Sequence, residues 1–157
     1  MIRPATPDDV PAIRGLITDL AAYEREAHQV RVTEDQLAGA LFGPQAVAGC
    51  HLAEVEDGRV AGFAFWYVTF STWTGLRTLF LEDLFVRPEH RGSGFGRDLL
   101  KALAALAVER GYGRFEWQVL DWNSPSRDFY RAIGARELPE WVPCRLDGEA
   151  LERFAKS

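Results

Sequence analysis

The chain carries 157 residues, with 18 Lys plus Arg against 23 Asp plus Glu and a net charge of −5. That length predicts one domain over 1–157 with room for a core that needs no staples, and 47% hydrophobic with 26% charged residues excludes a disordered chain. The acidic balance excludes the basic face that a nucleic acid demands, so no nucleic-acid partner is expected. Cys50 and Cys144 are too few and too far apart for a disulfide framework or a metal cluster, and no metal is expected. Met1-Ile2-Arg3-Pro4-Ala5-Thr6 lacks the apolar run of a leader, which predicts a cytoplasmic protein.

In chain order, Ile2 to Ala5 reads as a short strand. Thr6-Pro7-Asp8-Asp9 then opens a helix, with a Thr cap, Pro in the first turn and acids at the positive dipole end. Val10, Ile13, Ile17 and Leu20 form its apolar face. Thr33-Glu34-Asp35-Gln36 is a capping box for a second helix that Gly43-Pro44 stops. Strands over Val47–Glu56 and Arg59–Phe70 flank Asp57-Gly58, a strong hairpin signal. Leu76–Val86 reads as a third long strand. Val60 to Leu76 holds 17 uncharged residues, near the length of a membrane span. Its glycines, threonines and aromatics suit strands better, so no membrane partner is expected. Leu99, Leu100, Leu103, Leu106 and Ala107 mark a long helix ending at Gly111. Arg114–Leu120 is strand-like, Asn123-Ser124-Pro125 opens a short helix ended by Gly134, Trp141–Leu146 reads as a last strand, and Glu149–Lys156 as a terminal helix. The order predicts an α/β (mixed α+β) domain: a mixed central sheet with helices on both faces.

Chemistry concentrates in three places. Arg91-Gly92-Ser93-Gly94-Phe95-Gly96-Arg97 joins a strand to a helix through alternating glycines, which let the main chain turn its N–H groups toward a ligand. The helix start adds unpaired N–H groups, and the two arginines add forked donors, the makings of a pyrophosphate cradle. A Walker loop needs Gly-Lys-Ser/Thr and a dinucleotide fingerprint needs glycine where Arg97 stands; neither is present. A plain tight turn also fits the glycines. Asn123, at the next strand-to-helix junction, reads as an N-cap or as a second contact in the same crevice, and Tyr130 as a core tyrosine or a proton donor. Glu82-Asp83 sits inside Leu81-Glu82-Asp83-Leu84-Phe85-Val86. Adjacent acids in so apolar a strand are costly, since side chains alternate and one must face inward. An acid there is a candidate general base.

The Arg91–Gly96 loop resembles the acetyl-CoA pyrophosphate motif of the GNAT acetyltransferase superfamily. Together with Ile2-Arg3-Pro4-Ala5-Thr6, Ala22-Tyr23-Glu24, Leu81–Val86, Asp121-Trp122-Asn123, Phe129-Tyr130 and Gly134-Ala135, it is similar to the diamine (spermidine/spermine) and thialysine N-acetyltransferases from end to end. The resemblance implies acetyl-CoA as acetyl donor, a small-molecule amine as acceptor, no metal and a homodimer. It implies that Leu84, Phe85 and Val86 pair with the pantetheine arm and that Arg91, Gly92, Ser93, Gly94, Phe95, Gly96 and Arg97 hold the pyrophosphate. Asn123, Ser126 and Phe129 would touch the CoA moiety. Tyr130 would be the acid at sulfur and Glu82 the base, with the Phe85 N–H the expected oxyanion donor. Tyr23, Glu24, Trp73, Asp83 and Trp141 would line the amine cleft. Two departures bear on the acceptor. Ser71 stands where the diamine enzymes place an acid two positions before the cleft tryptophan, and Leu138-Pro139-Glu140-Trp141 is a shortened acidic stretch. Fewer carboxylates weaken the pull on a distal ammonium, so a shorter amine or a lysine-like amino acid fits as well as a long polyamine. A peptide acetyltransferase and a silent acyl-CoA-binding module remain as alternatives.

Overall fold

The computed structural model describes residues 1–157. By their internal contacts, residues 1–118 and 119–157 form two compact units. The first holds the whole sheet. Strands β1 (Ile2–Pro4), β2 (Ala48–Glu54), β3 (Val60–Ser71), β4 (Leu76–Val86) and β5 (Arg114–Trp117) lie side by side in that order. Every neighbouring pair is antiparallel except β4 with β5, which is parallel. The parallel pair needs a crossover, and α3 (Phe95–Glu109) supplies it.

Local sequence explains most boundaries. A single 3-10 turn, Pro7–Asp9, precedes α1 (Val10–Tyr23). Asp9 accepts from the Thr6 N–H at 2.7 Å, and the Arg3 guanidinium grips it with bonds of 2.8 and 2.9 Å while also donating to Glu54 at 2.6 Å. These bonds to Arg3, helped by Thr6, hold the Asp9 carboxyl well below the usual range and the Arg3 guanidinium above its own. The capping box before α2 (Glu34–Phe42) forms as expected: the Thr33 hydroxyl accepts from the Gln36 N–H at 3.2 Å, and the Gln36 side chain accepts from the Thr33 N–H at 3.0 Å. At the Asp57-Gly58 turn, Gly58 has φ +83° and Asp57 accepts from the Arg59 N–H at 3.0 Å.

Register decides which face each side chain meets, because directly opposite residues share a face. Cys50, Leu52, Phe63 and Phe85 pack with Val10, Ile13, Leu16 and Leu20 of α1 and Leu37 and Leu41 of α2 in one core cluster. Leu79, Leu81 and Trp66 face the other way, the side of α3, whose Leu99, Leu100, Leu103 and Ala107 are buried. Arg110, at the end of α3, places its guanidinium 5.6 Å from the Trp66 ring centre. The mixed sheet with helices on both faces is therefore present. Cys50 is a buried free thiol, pushed far above its ordinary pKa by burial and then by Asp9 and Asp83, whereas Cys144 is exposed.

In the second unit, α4 (Ser124–Ala132) and α5 (Gly148–Ala155) are the regular elements. The expected strand over Trp141–Leu146 is absent: the segment has no ladder partner, and Pro143 removes a donor from its middle. The strand expected to run to Leu120 ends at Trp117, and the chain turns where the Asn123 N–H donates to the Leu120 carbonyl at 3.0 Å. No helix is long and apolar enough to cross a membrane.

Candidate active site

The site grows out of an irregularity in β4. Phe65 pairs with Asp83 and Trp66 with Leu81, so Glu82 is an extra residue with no partner on β3. Such a bulge suspends the strict alternation of side chains. Leu79 and Leu81 face α3, while Asp83 stands opposite Phe65 and Phe85 opposite Phe63, on the α1–α2 side. Glu82 reaches the same side, where its charge acts on the Tyr67 phenol. Alternation alone would send the two acids to opposite faces. The bulge brings them together.

The consequence is electrostatic. Burial, and then the charges of Glu82 and Glu24, push the Asp83 carboxyl up to about 7. Burial and then Glu26 raise Glu24, which caps the end of α1. Burial and then Glu82's charge raise the Tyr67 phenol in the same way. Three carboxylates and a phenol thus gather where β4 leaves the middle of the sheet, a setting that attracts a cation and can take its proton. Tyr67 was not legible beforehand, because its role depends on the register of β3 against β4.

Beyond the bulge the strand has a free edge. The ladder to β5 stops at Leu81 opposite Trp117, and Leu84 to Val86 pair with β3 alone. The Arg87 N–H donates to the Ala61 carbonyl at 2.9 Å, and the Phe85 carbonyl points at Gly62, where an added Cβ would lie 2.5 Å away. Main-chain groups alternate along a strand, so Phe85 and Arg87 serve β3 while Leu84 and Val86 direct theirs to the open edge. Arg91 confirms this by donating from Nε to the Val86 carbonyl at 3.0 Å. The expected oxyanion donor at Phe85 is thereby corrected: its N–H is turned into the ladder, and the N–H groups available at the edge are those of Leu84 and Val86.

The glycine loop follows at once. Gly92 and Gly94 have φ of +80° and +88°, and an added Cβ at either would meet nothing within 4 Å. Gly94 caps α3, and the first bond of that helix runs from the Asp98 N–H to the Gly94 carbonyl at 3.0 Å. The N–H groups of Phe95, Gly96 and Arg97 therefore have no acceptor within the helix. Ser93 is occupied locally, its hydroxyl donating to the His90 carbonyl. Arg91 lies over two rings, its guanidinium carbon 4.7 Å from the Tyr23 centre and 5.5 Å from that of Phe85. Arg87 also pairs with Asp19 at 3.4 Å. The end of α1, the open edge and the loop thus converge.

Other expected residues fare differently. Trp73 sits in the turn after Ser71 and is 83% exposed. The regular ladder from Ser71 back to Trp66 carries it roughly 17 Å along the strand from the bulge at ~3.3 Å per residue, so the chain does not bring Trp73 to Glu82. In the second unit, Asn123 caps α4, its side chain accepting from the Ser126 N–H at 3.4 Å. Phe129 and Tyr130 are ring neighbours, their centres 5.6 Å apart on that helix. Arg127 and Arg131 both bind Glu137, at 2.9 Å, which pins the segment after α4. Trp141 is exposed in irregular chain.

Residues 13–135, which hold the open strand edge, the glycine loop and α3, match a family model described as the acetyltransferase (GNAT) family. The chain belongs to the GNAT acetyltransferase family. It is an N-acetyltransferase. Among curated relatives of this acetyltransferase, thialysine N-epsilon-acetyltransferase of Bos taurus is 37% identical, over 99% of this chain and 96% of that protein. L-ornithine N5-acetyltransferase of Arabidopsis thaliana is 33% identical, over 99% of this chain and 87% of that protein. Among solved structures, an integron cassette protein from the mobile metagenome of V. cholerae superposes with a TM-score of 0.82 at 27% identity, covering 100% of this chain and 98% of that one.

Proposed function

We propose that this GNAT enzyme moves an acetyl group from acetyl-CoA to the primary amine of a small molecule, a diamine, polyamine or lysine-like amino acid, by direct attack in a ternary complex. The observation that carries the reading is the bulge that sets Glu82 and Asp83 on one face, just before a free strand edge and the glycine loop. The names of the thialysine and ornithine acetyltransferase relatives support an amino acid with an amine at the end of its side chain.

The residues fit the donor. Leu84 and Val86 offer main-chain groups along the edge to an extended arm. The open space at Gly92 and Gly94 and the first-turn N–H groups of α3 suit a diphosphate, with Arg91 at the strand edge and Arg97 in that first turn. The donor supplies an acetyl thioester. An alkyl ammonium has a pKa of about 10 and no lone pair, so it must first lose a proton. Glu82, through a water, takes that proton. The amine nitrogen then bonds to the acetyl carbon as the carbon–sulfur bond breaks, and an N–H of the open edge, Leu84 or Val86, steadies the oxygen. On the family resemblance, Tyr130 returns a proton to the sulfur, while Asn123, Ser126 and Phe129 contact the CoA moiety and Trp141 the acceptor. A cytoplasmic location, a homodimer and a single GNAT domain over 1–157 complete the proposal on the same ground.

A second reading makes Asp83 the base, favoured by its carboxyl standing near 7. The pH–rate profiles of Glu82→Gln and Asp83→Asn separate the two. The reading as a whole is tested by an acetylation screen with acetyl-CoA across diamines, polyamines, lysine and ornithine analogues and basic peptides, read by thiol release. Transfer to small amines is expected. Transfer to peptides alone, or to nothing while acetyl-CoA still binds, overturns it in favour of the peptide enzyme or the silent module.

A further inference from the structure

A cavity of about 250 Å³ lies at the sheet edge where β1 gives out, two strands away from β4. β1 ends at Pro4, and the Ala5 N–H makes one more bond to the Cys50 carbonyl at 2.9 Å, so the start of β2 has no outer neighbour. Leu41 and Phe42 at the end of α2 and Leu106 and Arg110 at the end of α3 line the space, and no acidic residue does.

One glycine fixes the polar groups there. A Cβ on Gly49 would collide with the Trp66 ring, so glycine lets the indole lie across β2. That placement brings the indole N–H to His51 Nδ1 at 3.2 Å. An indole nitrogen only donates, so Nδ1 accepts and the proton of the neutral ring sits on Nε2. Burial, and then the charge of Arg110, hold the imidazole below its usual pKa and keep it neutral. No polar side-chain atom of the chain is buried without a partner, and Nε2–H has no acceptor in the protein, so it is open to water or to a guest. Arg110 places its guanidinium over the same ring, 5.6 Å from its centre, and joins none of the chain's ion pairs.

One unpaired positive charge and one imidazole N–H thus line a small cavity whose other side chains are largely apolar. A carboxylate has the charge and the two oxygens to match them. A phosphate brings more oxygens than there are donors, and each one left unmatched costs hydration. We infer that this cavity binds a small monocarboxylate with a short apolar tail, its oxygens received by Arg110 and by His51 Nε2–H. The site is separate from the acetyl-transfer site, because His51 and Trp66 lie on the sheet face that α3 covers and Asp83 on the other.

The test titrates the whole chain with sodium butyrate at constant ionic strength, by calorimetry and by the NMR signal of the Trp66 indole N–H. One site per chain with a Kd of about 1 mM or tighter is expected, and the Trp66 signal is expected to move along the same curve. Butyramide, of the same shape without the charge, is expected to bind about tenfold or more weakly. Arg110→Gln, at an exposed helix end, is expected to weaken butyrate by about tenfold or more and to leave butyramide as it was. His51→Ala keeps the guanidinium and removes the second donor, for an expected loss of about threefold or more. An unmoved Trp66 signal, equal affinity for butyramide, displacement of butyrate by inorganic phosphate at equal concentration, or unchanged butyrate affinity in both variants overturns the inference. The acetyl-transfer reading is judged apart from it, by thiol release.

Discussion

From Thr78 to Leu81, β4 is paired on both edges, and Leu79, Leu81 and Thr78 are all but sealed from solvent. From Glu82 to Val86 the same strand keeps its ladder to β3 and loses the one to β5, and its side chains include two acids. The first half spends its main-chain hydrogen bonds on the sheet. The second half holds some in reserve at the edge, and a bulge turns its carboxylates to one side. One strand is thus scaffold at its start and site at its end, and the junction is a single inserted residue, Glu82.

The sharpest break in that comparison comes from Glu82→Gln. It is expected to lower kcat/KM by about 10²-fold or more near neutral pH and to recover toward pH 10, where free amine is abundant, because the acceptor then needs no base. A pH–rate profile parallel to that of wild type would move the base elsewhere. Gly94→Val attacks the loop beyond the edge through the backbone, since φ is +88° and the space is open. A valine strains that conformation, and calorimetry is expected to show acetyl-CoA affinity falling by about tenfold to 10²-fold, in line with about 1–3 kcal/mol of local strain.

Leu81→Ala tests the scaffold half. Removing this buried side chain is expected to cost about 2–4 kcal/mol in denaturant unfolding, with KM for the amine nearly unchanged in the folded protein. A raised KM without lost stability would reverse the division of labour. Asp83→Asn gives the smallest effect and the most specific one. Because the folded carboxyl is raised to about 7, the native state holds a proton that the unfolded chain releases near 4. Wild-type stability therefore falls as pH rises from about 4 through about 7, and the neutral variant escapes that loss. The Tm of the variant is expected to exceed wild type by about 3 °C or more at pH 8 and to match it at pH 4. Turnover is expected to fall less than about tenfold, with the limb near pH 7 removed; a loss of about 10²-fold would make Asp83 the base.

Local rules carried much of the fold. The Thr33 capping box, the Asp57-Gly58 turn and the span of β4 could be read directly, because each depends on residues a few positions apart. Of the site, the glycine loop was legible for the same reason, and Glu82-Asp83 stood out by the cost of placing acids among Leu and Phe. What could not be read is what depends on register: the bulge, the approach of Tyr67 to Glu82, and the inward turn of the Phe85 N–H. Trp73 was placed at the cleft by resemblance alone, and a resemblance in sequence does not report the length of ladder that separates it from Glu82. Trp141–Leu146 misled because β-branched and aromatic composition makes no strand without a neighbour to pair with.

Cys50 lies on the same sheet face as Asp83, sealed beneath the α1–α2 layer, whereas Cys144 is open to solvent. An alkylating reagent will consume the second sulfur promptly and reach the first only when that layer lifts. The slow phase of labelling is consequently a clock for local opening over the carboxylate cluster, and its retardation by an added amine or coenzyme gives a binding measurement that needs neither turnover nor an engineered probe.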